Sequence, residues 1–273
     1  MAISKEEFNM ISEILKEYSG IVVNPGKEYL IENRLNVLLA QNGCENYVQF
    51  YKKIKRDLAL RSKFIDALTT NETLWFRDNS FFGGLTDVVI PQLLEHSKKQ
   101  KVRIWSAASS TGQEPYSVAM LLDYVGRKNN IKFDINRFSI LGTDISPTAL
   151  QTAKQARYSK MTLSRGMRDE FLPRYFIKQV TTYEITPNIR NIVTFKPFNL
   201  KEHFDSLGKF DLILCRNVLI YFSDDFKRQI FTKMRNTLSK NGYLAIGASE
   251  SPRGLTTEFK QVRIGQSVMY QAG

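Results

Sequence analysis

The sequence predicts an α/β protein, in which a doubly wound, mostly parallel β-sheet follows a small all-helical N-terminal domain. Up to about residue 70, apolar residues recur at helical spacing and no strand pattern occurs. From Val102 onward, short apolar runs alternate with amphipathic helical runs, which is typical of a parallel sheet with helices on both faces. We expect residues 1–72 to form the helical domain and residues 73–273 to form the domain that contains the sheet.

Four amphipathic helices are predicted in the first domain. The first begins with a capping box, in which Ser4 is the N-cap and Glu7 is the third helical residue. It ends at Gly20, before an Asn-Pro-Gly turn at residues 24–26. The other three are marked by apolar residues at helical spacing, namely Leu30, Ile31, Leu35, Leu38 and Leu39, then Tyr47, Phe50, Tyr51 and Ile54, then Phe64, Ile65 and Leu68.

The third and fourth helices carry a run of basic residues: Lys52, Lys53, Lys55, Arg56, Arg61 and Lys63. Such a run is usually a solvated face, but it can also dock an acidic helix or a phosphate backbone. The formal net charge of the chain is +12, which favours attraction to an acidic partner. From charge alone, both nucleic acid and an acidic protein surface remain open.

A linker and then a loop suited to a ligand follow the helical domain. Residues 69–78 are polar and then aromatic, which indicates a linker with a hydrophobic anchor. Residues 102–117 begin as an apolar strand, continue through small residues, and open a helix at Glu114, where the following proline is well tolerated. Small side chains before a helix allow a ligand to approach the backbone. The stretch lacks a G-x-G-x-x-G fingerprint and a P-loop lysine, so an ordinary strand-to-helix connection is the alternative.

Further strands are predicted over residues 138–145, 192–200, 210–222, 243–249 and 267–271. Ligands of such sheets bind at the carboxyl ends of the strands. Residues 106–114, Asp144, Asn199 and residues 217–221 all fall there, so we expect them to converge. Asp144 ends its strand, where an acid either binds ribose hydroxyls or caps the next helix.

Residues 156–191 interrupt this alternation. We expect one or two helices over residues 164–175, followed by a short irregular or β segment. The segment either covers the edge of the sheet or forms a lid or partner-binding subdomain.

Cysteine and histidine are rare and isolated, which limits the chemistry. The chain contains Cys44, Cys215, His96 and His203, and none has metal-site spacing. We therefore expect no metal site and no Ser/His/Asp triad. There is neither an apolar run of membrane-spanning length nor a signal-peptide pattern, so we expect a cytoplasmic protein with reduced thiols and no membrane insertion.

Four sequence blocks occur in order along the chain: Thr69-Thr-Asn-Glu-Thr-x-Trp-Phe-Arg77, Trp105-Ser-Ala-Ala-Ser-Ser-Thr-Gly-Gln-Glu-Pro-Tyr-Ser117, Gly142-Thr-Asp-Ile145 and Phe210-Asp-Leu-Ile-Leu-Cys-Arg-Asn-Val-Leu-Ile-Tyr-Phe222. Together they resemble the chemotaxis receptor methyltransferases, the CheR family, over nearly the whole chain. The resemblance implies the sheet of an S-adenosylmethionine-dependent methyltransferase. It implies S-adenosylmethionine as methyl donor, S-adenosylhomocysteine as product, and methyl esterification of glutamate side chains on cytoplasmic helices of the receptors.

The resemblance also implies roles for individual residues. The cofactor-binding residues would be Asn71, Thr73, Arg77, Ala107, Glu114, Asp144, Asn199, Leu200, Asn217 and Val218. Arg77 and Tyr221 would face the acceptor carboxylate as catalytic residues, and Asp144 would hold the ribose. Because receptor methylation helices are acidic, the basic residues Lys52, Lys53, Arg56 and Arg61 would dock them.

Two departures from the family pattern and two alternative functions remain. Gln113 stands where many members have glutamate. Residues 171–196 lack the Gly-rich turn with which some members bind a receptor tail peptide, which argues against tethering.

A nucleic-acid methyltransferase is the first alternative function, but neither an Asn-Pro-Pro-Tyr motif nor a Pro-Cys nucleophile is present, so we expect no nucleic-acid partner. A non-catalytic module that senses the cofactor or acts as a scaffold is the second, and the intact Arg77, Asp144, Asn217 and Tyr221 argue against it.

Overall fold

The computed structural model describes residues 2–272, and its first domain consists of the four predicted helices. These are α1 (Lys5–Ser19), α2 (Glu28–Gln41), α3 (Tyr47–Arg56) and α4 (Leu58–Leu68). The capping box at Ser4 and Glu7 is formed, and Gly20 ends α1 in the left-handed conformation. The apolar faces of the four helices enclose one core around Phe8, Tyr47 and Phe50.

The second domain contains the predicted α/β sheet. Its elements are α5 (Asn79–Gly84), a π-helical turn (Leu85–Val89), α6 (Ile90–Ser97), β1 (Val102–Ala107), α7 (Gln113–Lys128), β2 (Phe138–Asp144), α8 (Pro147–Gln155), β3 (Arg157–Ser159), α9 (Lys160–Leu163), α10 (Leu172–Tyr175), β4 (Phe176–Lys178), β5 (Thr182–Ile185), α11 (Pro187–Arg190), β6 (Val193–Pro197), β7 (Phe210–Cys215), α12 (Asp224–Thr237), β8 (Leu238–Ile246), β9 (Phe259–Ile264) and β10 (Ser267–Ala272). The boundary expected at residues 72 and 73 lies in the connection between α4 and α5, and it stays a prediction.

The main sheet has the strand order β6-β2-β1-β7-β8-β10-β9. The first five strands are parallel, and β10 is antiparallel to both β8 and β9. The chain therefore runs outward from β1 to one side and later from β7 to the other. This reversal opens a crevice at the carboxyl ends of β1 and β7, the usual ligand position in such sheets.

Three elements differ from the expectations. Strand β9 was not expected, because it is an edge strand whose alternating polar residues give only a weak strand pattern. The strand expected over residues 210–222 ends at Cys215, since Asn217 adopts a left-handed φ of 59°. Of the one or two helices expected over residues 164–175, the structure forms a 3₁₀ turn (Asp169–Phe171) followed by α10, and residues 164–168 are not helical because Gly166 adopts a φ of 98°.

The segment of residues 156–191 contains a small antiparallel sheet of order β3-β5-β4, together with short helical turns. The expected β segment is therefore confirmed. Tyr158, Phe171 and Tyr175 of this segment are buried in the main core of the second domain, so the segment is packed onto that domain. Over residues 2–272, the structure contains no helix that is both long and apolar enough to cross a membrane.

Candidate active site

A cleft of about 1030 Å³ lies at the carboxyl ends of β1, β2, β6 and β7, against the helical domain. Ten of the predicted site residues line it: Asn71, Thr73, Arg77, Glu114, Asp144, Asn199, Leu200, Asn217, Val218 and Tyr221. Ala107 does not line the cleft. Its neighbour Ala108, which has a φ of 57°, does. The structure thus brings the predicted set together, apart from this shift of one residue.

Asp144 is almost completely buried at the end of β2. Its carboxylate accepts the backbone N–H groups of Ser110 at 2.7 Å and Ser146 at 2.9 Å. Burial raises the pKa of Asp144, while these backbone donors act in the opposite direction. A carboxylate offers about four lone pairs, so acceptor capacity remains for a ligand hydroxyl. Ser146, whose hydroxyl accepts from Ala149, is the N-cap of α8, so Asp144 does not cap that helix.

Arg216 is a buried cation that sequence reasoning missed. Its guanidinium donates to the Glu114 carboxylate at 3.0 Å and to the Arg77 carbonyl at 2.9 Å, and it lies 3.9 Å from the Phe81 ring centroid. The other carboxylate oxygen of Glu114 accepts from the Ser106 hydroxyl at 2.8 Å. Arg216 therefore joins the start of α7 to the segment that carries Arg77. The available signal was an arginine directly after a buried strand.

Glu250 is a second residue that was missed. Its carboxylate accepts the backbone N–H groups of Asn217 at 2.8 Å, Gly247 at 2.6 Å and Ile220 at 3.3 Å. These bonds hold the turn after β7, which carries Asn217, Val218 and Tyr221. The available signal was an acid placed shortly after the carboxyl end of β8.

Arg77 and Tyr221 have side chains that are free to meet a ligand. Arg77 lies between Phe76 and Asp78, whose φ values of 46° and 78° are strained for these residue types. Its guanidinium has one long contact, 3.4 Å to the Glu72 carbonyl. Across residues 2–272, the Tyr221 hydroxyl makes no hydrogen bond, although its carbonyl accepts the Val22 N–H at 2.9 Å.

The helical domain forms one wall of the cleft through Ser19, Ile21 and Leu68. The Asn199 side chain donates to the Tyr18 carbonyl at 2.7 Å and accepts the Lys201 N–H at 3.0 Å. The Asn199 backbone is engaged as well, since its N–H donates to the Glu202 carboxylate and its carbonyl accepts the Glu202 N–H, both at 2.9 Å. The side-chain hydrogen bond to Tyr18 joins this wall of the cleft to the helical domain. The contact explains why the cleft depends on both domains.

The residues predicted to dock a receptor differ in their surroundings. Lys52 and Arg56 are exposed, and Lys53 is exposed but donates to the Asn42 carbonyl at 2.6 Å. Arg61 stacks on the Tyr18 ring at 4.0 Å and donates to two carbonyls at the end of α3. Arg61 therefore stabilises the end of that helix, where a cation is favourable.

The charge of the first domain is balanced, although α3 and α4 carry a run of basic residues. Residues 1–72 contain ten Lys and Arg and ten Asp and Glu, so the whole excess of +12 lies in residues 73–273. The basic residues of α3 and α4 are consequently a local feature of a neutral domain.

Comparison with known proteins identifies the family of this chain. Residues 71–268 match the family described as "CheR methyltransferase, SAM binding domain", and residues 6–69 match "CheR methyltransferase, all-alpha domain". The chain belongs to the CheR family. The chemotaxis protein methyltransferase Cher2 of Pseudomonas putida is 39% identical over 275 aligned residues, covering 100% of both chains. A chemotaxis protein methyltransferase of Borreliella burgdorferi is 34% identical and covers 92% of this chain and 90% of its own.

This CheR protein is thus an S-adenosylmethionine-dependent methyltransferase of chemotaxis, and the cleft fits its cofactor. The carboxylates of Glu114 and Asp144 suit the ammonium and ribose hydroxyls of the cofactor. The buried side chains of Phe198 and Leu200 offer an apolar surface to an adenine ring.

Proposed function

We propose that this protein transfers a methyl group from S-adenosylmethionine to glutamate side chains on cytoplasmic helices of chemotaxis receptors, forming methyl esters. The observation that carries the proposal is the composition of the cleft. It presents the cationic Arg77 and the free hydroxyl of Tyr221, and its described lining contains neither histidine nor cysteine. Such a lining suits an acceptor that is already an anion.

The acceptor chemistry explains why no general base is needed. A glutamate side chain has an ordinary pKa of about 4.3, so it is ionised and nucleophilic at neutral pH. When bound, S-adenosylmethionine supplies a methyl group activated by its sulfonium. What remains for the protein is to align the carboxylate and to exclude water. We assign the alignment to Arg77, through a charge-assisted hydrogen bond, and to the Tyr221 hydroxyl.

The cofactor contacts follow from the groups that the cleft leaves free. We propose that Asp144 accepts from the ribose hydroxyls and that Glu114, held by Arg216, faces the ammonium. The backbone of Asn199 and Leu200 and that of Asn217 and Val218 would border the adenine. Asn71 and Thr73 would contact the methionine end, and no metal takes part.

Asp144→Asn is expected to weaken binding of S-adenosylhomocysteine about tenfold or more. An amide has a single acceptor oxygen and turns an NH₂ group toward the backbone donors, so it cannot serve these donors and a ribose together. Isothermal calorimetry on the full chain measures the affinity. Asp134→Asn, at an exposed turn, is the control. Unchanged affinity in Asp144→Asn would remove the ribose assignment.

Charge reversal on α3 is expected to weaken receptor binding. We propose that Lys52, Lys53 and Arg56 dock the acidic receptor helix, whereas Arg61 supports α3. Lys52→Glu with Arg56→Glu should lower the affinity for a receptor cytoplasmic fragment about tenfold at low salt and flatten its salt dependence. Lys5→Glu with Lys27→Glu changes the net charge of the domain equally at other exposed sites. Equal behaviour of the two double variants would contradict the docking proposal.

We also propose that docking does not use a receptor tail peptide. The support is the turn between β4 and β5, residues 179–181, which contains no glycine. It closes through a bond of 2.8 Å from the Gln179 N–H to the Thr182 carbonyl.

The proposed function is tested by offering the protein two classes of acceptor. The full chain is incubated with S-adenosylmethionine and either a receptor cytoplasmic fragment or DNA and RNA. Mass spectrometry of the fragment should locate methyl groups on glutamate side chains. Methylation of the nucleic acid, or none of the fragment despite S-adenosylhomocysteine binding, would overturn the proposal.

A further inference from the structure

The segment of residues 72–78 carries Arg77 in a conformation that its own residues disfavour. The φ values of Phe76 and Asp78, 46° and 78°, fall in the left-handed region. Strained backbone of this kind persists only where its surroundings hold it. Contacts with the rest of the molecule must therefore hold this backbone in place.

The inserted segment, residues 156–191, packs directly against this strained backbone. The Trp75 N–H donates to the Arg165 carbonyl at 3.1 Å. The Trp75 side chain is 1% exposed. Its ring packs edge-to-face against the rings of Tyr158 and Phe176, with centroid distances of 4.9 Å and 5.6 Å. The Arg168 guanidinium lies 4.8 Å from the Phe76 ring centroid.

Gly166 lies directly against the Trp75 backbone. A Cβ atom at this position would lie 2.2 Å from the Trp75 carbonyl oxygen. The φ of 98° at Gly166 is also unfavourable for any other residue. The turn at Gly166 therefore fits against Trp75 with no space for a side chain.

Tyr158 connects the same segment to the second wall of the cleft. Its hydroxyl donates to the Thr111 carbonyl at 2.8 Å, in the small-residue loop that contributes Ala108, Ser109 and Ser110 to the lining. Burial raises the pKa of Tyr158 well above its ordinary value, so the hydroxyl stays a donor. One side chain thus touches both the Trp75 anchor and the loop after β1.

We infer that the inserted segment is a positioning element of the cofactor site, and that Tyr158 and Gly166 are its positioning residues. Gly166 and Tyr158 hold Trp75 and with it the segment from Asn71 to Arg77, while the Tyr158 hydroxyl holds the loop after β1. Neither residue lines the cleft. The inference rests on the cofactor site of the proposed function and is independent of the identity of the acceptor.

Tyr158→Phe provides the cleanest test, because it removes one hydroxyl and keeps the ring. Affinity for S-adenosylhomocysteine should fall about threefold to tenfold, the value of one neutral hydrogen bond. Tyr183→Phe is the matched control: Tyr183 pairs with Tyr158 across β3 and β5, and within residues 2–272 its hydroxyl has no hydrogen-bond partner. Calorimetry on the full chain should show an unchanged affinity for this control.

Gly166→Ala tests the second contact. Because Trp75 must move, affinity for S-adenosylhomocysteine should fall about tenfold or more. Gly26→Ala is the control, since Gly26 has a similar φ of 87° but nothing within 4 Å of an added Cβ. If Gly166→Ala does not fold, the affinity of Tyr158→Phe for S-adenosylhomocysteine is the remaining test of the inference.

A further readout separates positioning from general stability. S-adenosylhomocysteine should raise the melting temperature of the wild type, since a ligand stabilises the state that binds it. Tyr158→Phe should melt a few degrees below Tyr183→Phe without ligand, because it loses a buried hydrogen bond, and S-adenosylhomocysteine should raise its melting temperature less. Its KM for S-adenosylmethionine should increase, while its KM for the receptor fragment stays unchanged.

Either of two results would overturn the inference: wild-type affinity in Tyr158→Phe, or equal losses in Tyr158→Phe and Tyr183→Phe. Failure of the wild type to bind S-adenosylhomocysteine would instead contradict the proposed function, so the two failures are distinguishable.

Discussion

Arg77→Ala is expected to lower kcat/KM for methyl transfer to a receptor fragment by about tenfold or more, which corresponds to about 1.4 kcal/mol of lost transition-state stabilisation. The side chain lines the cleft and has only one long intramolecular contact, so its cation is available to the acceptor carboxylate. The hydrogen bond that the Arg216 guanidinium donates to the Arg77 backbone carbonyl does not involve the deleted atoms. The fold should therefore be preserved, which circular dichroism and the melting temperature can check.

Arg77→Lys serves as the control for this prediction. Lysine keeps the charge but lacks the planar fork that binds a carboxylate through two donors, so an intermediate rate is expected. S-adenosylhomocysteine affinity, measured on both variants, separates loss of cofactor binding from loss of acceptor alignment. Turnover by Arg77→Ala at the wild-type rate would rule out the catalytic assignment.

Arg216→Met is expected to destabilise the protein by about 3–5 kcal/mol, the usual effect of removing one partner from a buried ion pair. The Arg216 side chain is 2% exposed, and its removal leaves the Glu114 carboxylate, 15% exposed, without its cation. Asp78, whose carboxylate lies 3.5 Å from the same guanidinium, loses a neighbouring charge as well. Urea denaturation measures the change in the free energy of unfolding.

Two further variants test whether the effect of Arg216→Met comes from the buried ion pair. The double variant Arg216→Met with Glu114→Gln should recover part of the lost stability, since no uncompensated carboxylate then remains at position 114. Arg228→Met, which removes an exposed ion pair with Asp225, should leave the free energy of unfolding nearly unchanged. If Arg216→Met were as stable as Arg228→Met, the cation would not be holding the cleft together.

Features that repeat along the chain could be predicted from the sequence. Helical spacing located the four helices of the first domain, and the alternation after Val102 located the parallel strands. Because the carboxyl ends of parallel strands share one edge, Asp144, Asn199 and Asn217 could be placed at one site without coordinates. The cleft contains all three.

Contacts between distant parts of the chain could not be predicted in this way. Arg216 bonds Glu114 and the Arg77 carbonyl across more than a hundred positions, and no local pattern records such a partner. Glu250 likewise became a site residue only when β8 was placed beside β7. Ala108 lines the cleft with a positive φ that alanine rarely adopts, so residue type gave no indication of this backbone conformation.

The chemical linkage of the transferred methyl group tests the central claim most directly. The full chain is incubated with methyl-labelled S-adenosylmethionine and a receptor cytoplasmic fragment, and the labelled fragment is then treated with alkali. A methyl ester of glutamate hydrolyses in base, so the proposal predicts that the label is released, and that it never forms when the acceptor glutamates are replaced by alanine. A base-stable label would show methylation of nitrogen or carbon and would contradict the proposal.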